Sequence, residues 1–353
     1  MEPRKRSLDV LRTLAIFIVF FNHFLAPKGR ILAYLYEHLA QGAGIGVLLF
    51  FVLSGFLISG LLFKEHQKTG SISFKKFFIR RGFKIYPAFW GYLAITIGLG
   101  LSGKFAIEKL LAEVFFVQNY FHSYWAHTWT LAVEEQFYLF LPIVLIIMVK
   151  NCGSNPFRHI PRLFSGVASF CLLARLADRI FDRSSHPNHN FLFLIDGFFF
   201  GVLIAYFYHY HQEKFKTFKK KTGNKLLVVG VAFVIPAFFF SDWNNFVVTT
   251  IGYTFFYLGC GMILIRALDE EKFFSGRFWG GVAFIGSHSY SIYIWHSMAF
   301  MACIAALKFY GNYPLYCFLS VTSSICLGVL MARLIEQPAL RLREALISAP
   351  SSR

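Results

Sequence analysis

Ten apolar blocks recur along the 353-residue chain, at about 8–26, 44–63, 85–101, 128–149, 163–178, 191–208, 226–240, 246–265, 283–306 and 314–335. A bilayer's hydrocarbon core takes roughly 17–25 helical residues to cross. Blocks of that length, repeated so often, leave little room for any other plan. They predict an all-α polytopic membrane protein of about ten transmembrane helices. The block at 163–178 ends in Arg175 and Asp178, and 226–240 is short, so these two are the least regular. Composition agrees: 56% of residues are hydrophobic and 15% charged. A soluble domain usually carries about a quarter charged residues, and a disordered chain is far less apolar.

The basic residues give the orientation. With both termini cytoplasmic, the cytoplasmic segments hold 25 of the 35 Lys and Arg residues and the opposite loops hold 7. That asymmetry across alternate loops is what the positive-inside rule expects. The net charge of +17 is therefore read as basic loops against anionic lipid, not as a nucleic-acid surface. The basic start followed by an apolar run resembles a signal peptide. It lacks a small-x-small cleavage site, however, and is read as an uncleaved first span. Residues 1–340 are expected to form one transmembrane domain, with 341–353 a short cytoplasmic tail. Two connecting segments read as surface helices. Residues 72–85 interleave Phe74, Phe77, Phe78 and Phe83 with Lys75, Lys76, Arg80, Arg81 and Lys84, an interfacial pattern. Residues 105–117 set Phe105, Leu110, Leu111 and Val114 against Glu108, Lys109 and Glu113. The six cysteines form no C-x-x-C and read as small buried hydrophobes.

Ionisable groups inside a span are costly and tend to mark function. The first block carries Asp9, Arg12 and His23. Arg12 and His23 are eleven residues apart, which nearly closes three turns and puts them on one face about 16 Å apart. In the fourth block His127, Leu131, Glu134 and Tyr138 follow helical spacing along one face. Entering from the other side, Glu134 is predicted at nearly the depth of His23. A carboxylate there would fix the imidazole's tautomer and raise its basicity. The plainer alternatives are an interfacial residue capping the span for His23 and a helix-pairing polar contact for Glu134. Arg80, Arg81 and Lys84 lie at the cytoplasmic mouth of the third block, where guanidinium forks suit phosphate, though an ordinary basic loop would look the same. His296 lies near mid-membrane in the ninth block. His186/His189 and His209/His211 have metal-like spacing but no thiol or carboxylate company, so no metal is expected. No P-loop, dinucleotide fingerprint, zincin or nucleophile elbow occurs.

Several segments, in order from residue 8 to 338, together resemble the acyltransferase-3 family of membrane acyltransferases. They are Leu8-Asp9-Val-Leu-Arg12 with His23 beyond it, and Phe50-Phe-Val-Leu-Ser54-Gly55-Phe-Leu-Ile. They continue with Arg80-Arg81-Gly-Phe-Lys84-Ile-Tyr-Pro87 and Trp129-Thr-Leu-Ala-Val-Glu134-Glu-Gln-Phe-Tyr138. Ser289-Tyr-Ser-Ile-Tyr293-Ile-Trp-His296 and Glu336-Gln-Pro338 close the set. Lys84 departs from the pattern, standing where the family usually has a third Arg; charge is kept and the bidentate fork is lost. Some members continue into a soluble extracytoplasmic hydrolase-like domain, which is not expected here.

The resemblance implies a bacterial cytoplasmic-membrane enzyme. It would move an acyl group, most often acetyl, from cytoplasmic acyl-CoA to a hydroxyl of an extracytoplasmic glycan or lipid-linked saccharide. His23 would be the catalytic base or acyl carrier and Glu134 its partner. Arg12, Arg80, Arg81 and Lys84 would hold the CoA phosphates, with Asp9, Ser54, Tyr138 and His296 as further candidates. Membrane lipid and the saccharide acceptor are the expected partners, with no nucleic acid and no metal. The alternatives are a proton-coupled secondary transporter, which also uses intramembrane His and Glu, and a non-catalytic member that only binds or flips lipid-linked glycans. No inverted repeat is visible to favour the transporter.

Overall fold

The computed structural model describes residues 5–101, 103, 105–153, 155–181, 190–240, 245–310 and 312–348. Among these residues all regular structure is helical. The first half contains α1 (Arg6–Phe20), α2 (Arg30–Gln41), α3 (Gly44–Thr69), α4 (Phe74–Gly98), α5 (Ile107–Val114), α6 (Trp129–Asn151) and α7 (Ile160–Ile180). The second half contains α8 (Phe191–Tyr210), α9 (Gln212–Thr222), α10 (Lys225–Val234), α11 (Pro236–Phe240), α12 (Tyr253–Ala267), α13 (Arg277–Ser287), α14 (Ser289–Tyr310), α15 (Tyr313–Met331) and α16 (Gln337–Ser348). Six helical runs among the described residues are long and apolar enough to cross a membrane. A seventh results if the pair Gln212–Thr222 and Lys225–Phe240, bent by 80°, counts as one span.

The core is built around α3, which packs on α1, α8, α12 and α6. Small residues set this spacing. A Cβ on Gly55 would lie 2.0 Å from the Phe198 carbonyl oxygen, and one on Gly201 would lie 2.2 Å from that of Val52. So α3 and α8 meet backbone to backbone, as helices without a hydrophobic drive between them do when small residues allow it. Gly286 does the same for α13 and α1: its Cβ would fall 1.8 Å from the Asp9 carbonyl oxygen. The hairpin of α14 and α15 completes the bundle, with α4 against α14 and α16.

Several boundaries differ from the sequence reading. The basic, aromatic segment 72–85 is not a separate surface helix. Ser73 caps the N-terminus by accepting from the Lys76 amide, and α4 then runs unbroken through Arg80, Arg81, Lys84 and Pro87. The first block leaves the α-helix at Phe20 and finishes as a tighter 3₁₀ turn, Phe21–His23. The block 226–240 is divided at Pro236, and 283–306 at His288, between α13 and α14. The charges that made 163–178 irregular are explained by burial: Arg175 donates to Asp196 (2.8 Å), Thr254 (3.0 Å) and the Phe193 carbonyl (2.6 Å) across α8 and α12.

Two amphipathic helices lie between longer ones. The sequence reading missed α2, although its signal is present: Ile31, Leu32, Leu35 and Leu39 are exposed along one face. Helix α5 was expected, and one of its polar residues departs from the expected polar face. Leu111 is exposed while Glu113 is fully buried, its Oε1 accepting from Thr128 Oγ1 (3.0 Å) and the Tyr124 amide (3.2 Å). Burial pushes the Glu113 carboxyl up to about 7, against the pull of those donors. At the other end of the bundle, charged pairs tie the N-terminus to the α12–α13 connection. Lys5 bonds Asp269 (2.8 Å) and Ser7 Oγ bonds Glu271 (3.0 Å), while Lys219 (3.0 Å) and Arg266 (2.7 Å) hold Glu270 below the ordinary carboxylate range.

Candidate active site: two cavities with a common wall

The first cavity is basic and narrow, about 100 Å³. Arg12 comes to it from α1, Ser54 from α3, Arg81 and Lys84 from α4, and Glu134 and Tyr138 from α6. Each cation is anchored. Arg12 bonds Asp9 one turn earlier at 2.7 Å, Arg81 lies 4.5 Å over the Tyr138 ring, and Lys84 is 4.0 Å from Glu336. The Glu336 side chain is itself fixed by Ser291 Oγ at 2.7 Å. Glu134 accepts from Ser54 Oγ at 2.9 Å and from the Tyr138 hydroxyl at 3.1 Å, so both carboxylate oxygens are engaged. Among the charged residues lining the cavity, cations outnumber carboxylates three to one, with Asp9 and Glu336 set behind Arg12 and Lys84; guanidinium and ammonium groups turned to the cavity suit a phosphorylated or otherwise anionic ligand.

The second cavity is larger, about 630 Å³, and holds His23 and His127. Its walls bring in Tyr36 and Glu37 from α2, Trp129 from α6 and Tyr253 from α12. The 3₁₀ turn after α1 swings His23 against two further imidazoles. Its ring centroid lies 4.4 Å from that of His296 and 6.3 Å from that of His127, and the latter two are 4.9 Å apart. His296 is fully buried. Among the described residues no group of three or more His, Cys, Asp or Glu is arranged to hold a metal ion. His211 instead bonds the Tyr206 hydroxyl at 2.9 Å, and the His186/His189 pair lies outside the described residues.

The two cavities share Val47, Thr130 and Tyr293. The hydroxyls of Thr130 and Tyr293 are 2.7 Å apart, and both reach the His127 carbonyl, at 3.2 and 3.0 Å. This polar contact is the partition between the basic cavity and the histidine cavity.

The structure therefore sorts the residues expected from sequence into two sets. Arg12, Ser54, Arg81, Lys84, Glu134 and Tyr138 line the basic cavity. His23 lines the other, with His296 behind it. Glu134 is engaged with Ser54 and Tyr138, and the rings against His23 are those of His296, His127 and Phe300. Arg80 is exposed and does not line the basic cavity, because its neighbour Arg81 takes the inward face of α4. Thr130, Tyr293 and His127 were not singled out as site residues. The signal for Thr130 and Tyr293 was their position inside the motifs around Glu134 and His296, and for His127 its place on the helical face of Glu134.

The family model described as an acyltransferase domain, that of the acyltransferase-3 family, matches residues 5–333. The chain belongs to this family of acyltransferases. Among the curated relatives it matches are the peptidoglycan O-acetyltransferase OatA of Listeria monocytogenes serovar 1/2a, 26% identical over 94% of this chain and 55% of that protein, and the O-acetyltransferase OatA of Staphylococcus aureus strain NCTC 8325, 26% identical over 94% and 56%. A Staphylococcus aureus strain COL protein provisionally named an O-acetyltransferase is also 26% identical, over 94% of this chain and 56% of its own length. The chain thus spans about half the length of these relatives. No solved structure matches it.

Proposed function

We propose that the protein is a bacterial inner-membrane O-acetyltransferase. In this reading it crosses the membrane about ten times with both termini in the cytoplasm, residues 1–340 form the transmembrane enzyme, and 341–353 form a tail. Acetyl-CoA is the donor, and the acceptor is a hydroxyl of an extracytoplasmic saccharide, free or lipid-linked. The names of the relatives make peptidoglycan the first acceptor to try. One observation carries the reading: a narrow basic cavity and a roomier imidazole-bearing cavity meet at a single wall, Val47, Thr130 and Tyr293.

In this reading the nucleotide of the donor stays outside the first cavity and only its extended arm enters. The CoA phosphates therefore sit at its mouth against Arg81, Lys84 and Arg12, with the pantetheine threaded past Glu134 and Ser54. The thioester reaches the Thr130–Tyr293 wall. There His23 removes the proton of an acceptor hydroxyl in the second cavity, the oxygen attacks the thioester carbon, and the C–S bond breaks. The thiolate then takes the proton from His23. Glu134 in this scheme orders the donor arm and Tyr138 through hydrogen bonds. It is tested with purified protein in nanodiscs, acetyl-CoA and peptidoglycan fragments. Wild type is expected to release free CoA and acetylate the fragments, and His23→Gln to lose at least about 100-fold in kcat while folding normally. Full activity of His23→Gln would remove His23 from the chemistry. Absence of acetyl-CoA binding by wild type would remove the donor and bring the carrier reading forward.

A further inference from the structure

In the ordinary arrangement for base catalysis, an imidazole leans on a carboxylate that fixes its tautomer. Here the group pressed against His23 is another imidazole, His296, and its protonation can be assigned from its partners. His296 Nδ1 lies 2.5 Å from the Tyr293 carbonyl oxygen. A carbonyl can only accept, so Nδ1 carries the hydrogen and Nε2 presents a lone pair. That Nε2 is buried and makes no hydrogen bond, in a side chain with no exposed surface. Leaving a buried acceptor unpaired costs about 1–3 kcal/mol, so a partner is to be sought nearby.

The rings around His296 narrow the choice. They are Phe20 (5.5 Å), Phe300 (6.0 Å), Tyr293 (5.5 Å), His127 (4.9 Å) and His23 (4.4 Å). The two phenylalanines have no donor. The Tyr293 hydroxyl is engaged with Thr130 and the His127 carbonyl. His127 is fully committed, donating from Nε2 to the Ile294 carbonyl (3.2 Å) and accepting at Nδ1 from Ser297 Oγ (2.9 Å). His23 is the nearest of these rings and stands almost perpendicular to His296, at an interplanar angle of 84°, without a hydrogen bond between the two in this arrangement.

We propose that His296 is the positioning residue for His23: a rotation of the neighbouring His23 ring brings one of its N–H groups to the unpaired His296 Nε2 and so leaves the other His23 nitrogen unprotonated toward the second cavity. This rests on the reading of His23 as the general base. When His23 takes the acceptor's proton, its second N–H still donates to His296 Nε2, and the charge is held by a neutral, fixed acceptor. No proton leaves the His23–acceptor–thiolate cycle, so the transfer balances as written above. The titratable groups facing His296 are His23 from the turn after α1, His127 from the turn before α6, and Tyr293 on its own helix. The His127 bonds to Ile294 and Ser297 brace the segment of α14 that carries His296.

The test separates this role from a packing role and from the reading beneath it. His296→Phe keeps a ring of similar size and removes the acceptor; His296→Gln restores an acceptor at about the place of Nε2. With thermal unfolding of each variant measured in parallel, His296→Phe is expected to lower kcat about 10- to 100-fold with donor KM within about twofold of wild type, and His296→Gln to recover part of it. Equal kcat in wild type and His296→Phe overturns the proposal while leaving His23 as the base. Equal losses in both variants reduce His296 to packing. Inactive wild type defeats the functional reading instead, and the hydrogen bond is then decided without turnover. In protein labelled with ¹⁵N-histidine, the unprotonated Nε2 resonance of His296 is expected to move on His23→Phe. An unmoved resonance overturns the proposal.

Discussion

Arg80 and Arg81 adjoin in sequence and differ in everything that matters for binding. Arg81 is turned inward over the Tyr138 ring and lines the basic cavity, while Arg80 is exposed. A hydrogen bond to a charged group contributes roughly 1.5–3 kcal/mol, and 1.4 kcal/mol is tenfold in affinity. Arg81→Ala is therefore expected to raise the donor KM about tenfold, and Arg80→Ala to leave it within about twofold, in initial-rate measurements with acetyl-CoA. Equal effects of the two changes would mean that the phosphates lie outside the basic cavity. This split was not legible in the sequence, where both residues belong to one motif; it depends on which side of α4 each occupies. His23, Glu134, Ser54 and Tyr138 were legible, because polar groups in apolar blocks stand out. Their grouping was not. Depth counted along ideal helices brought Glu134 beside His23, but the 3₁₀ turn at Phe21–His23 breaks that count and turns the imidazole toward α14.

Helices α3 and α8 illustrate what an element costs to perturb. Gly201 leaves no room for a side chain, since a Cβ there would meet backbone 2.2 Å away, whereas a Cβ on Gly197, one turn earlier, would be 3.5 Å from Tyr257 Cβ. Gly201→Ala is expected to destabilise the bundle by about 2 kcal/mol or more and Gly197→Ala to be near neutral. Thermal unfolding in detergent compares them, and equal melting shifts would show that α3 and α8 separate easily. For α5 the lever is pH. Raised from its ordinary 4.5 to about 7, the Glu113 carboxyl is bound more favourably when neutral. The stability it contributes is full below about pH 4.5 and lost as pH rises through about 7. Glu113→Gln, neutral throughout, is expected to match wild type at pH 5 and exceed it at pH 8 by on the order of 3 kcal/mol. Parallel pH curves would place the proton elsewhere. Most long elements were legible because apolar length announces a span. Helix α2 was not, and neither was the burial of Glu113 on α5, because amphipathicity alone does not say which polar residue a distant loop will cover, and Glu113 is covered by the loop that carries Tyr124 and Thr128.

Across the whole molecule, two hollows approach each other and are kept apart by Val47 and the paired hydroxyls of Thr130 and Tyr293. A bacterial membrane stores a voltage, and each elementary charge that slips through gives up about 2.3 kcal/mol per 100 mV. If the hollows open to opposite faces, as the proposed function has it, they amount to a pore with its middle missing, and this small contact is then also electrical insulation. On the proposed function, an acyl group crosses where a proton must not. Tyr293→Ala opens that spot, and in liposomes carrying a potassium diffusion potential it is expected to discharge a voltage-sensitive dye faster than wild type. Equal discharge rates would locate the insulation elsewhere in the bundle.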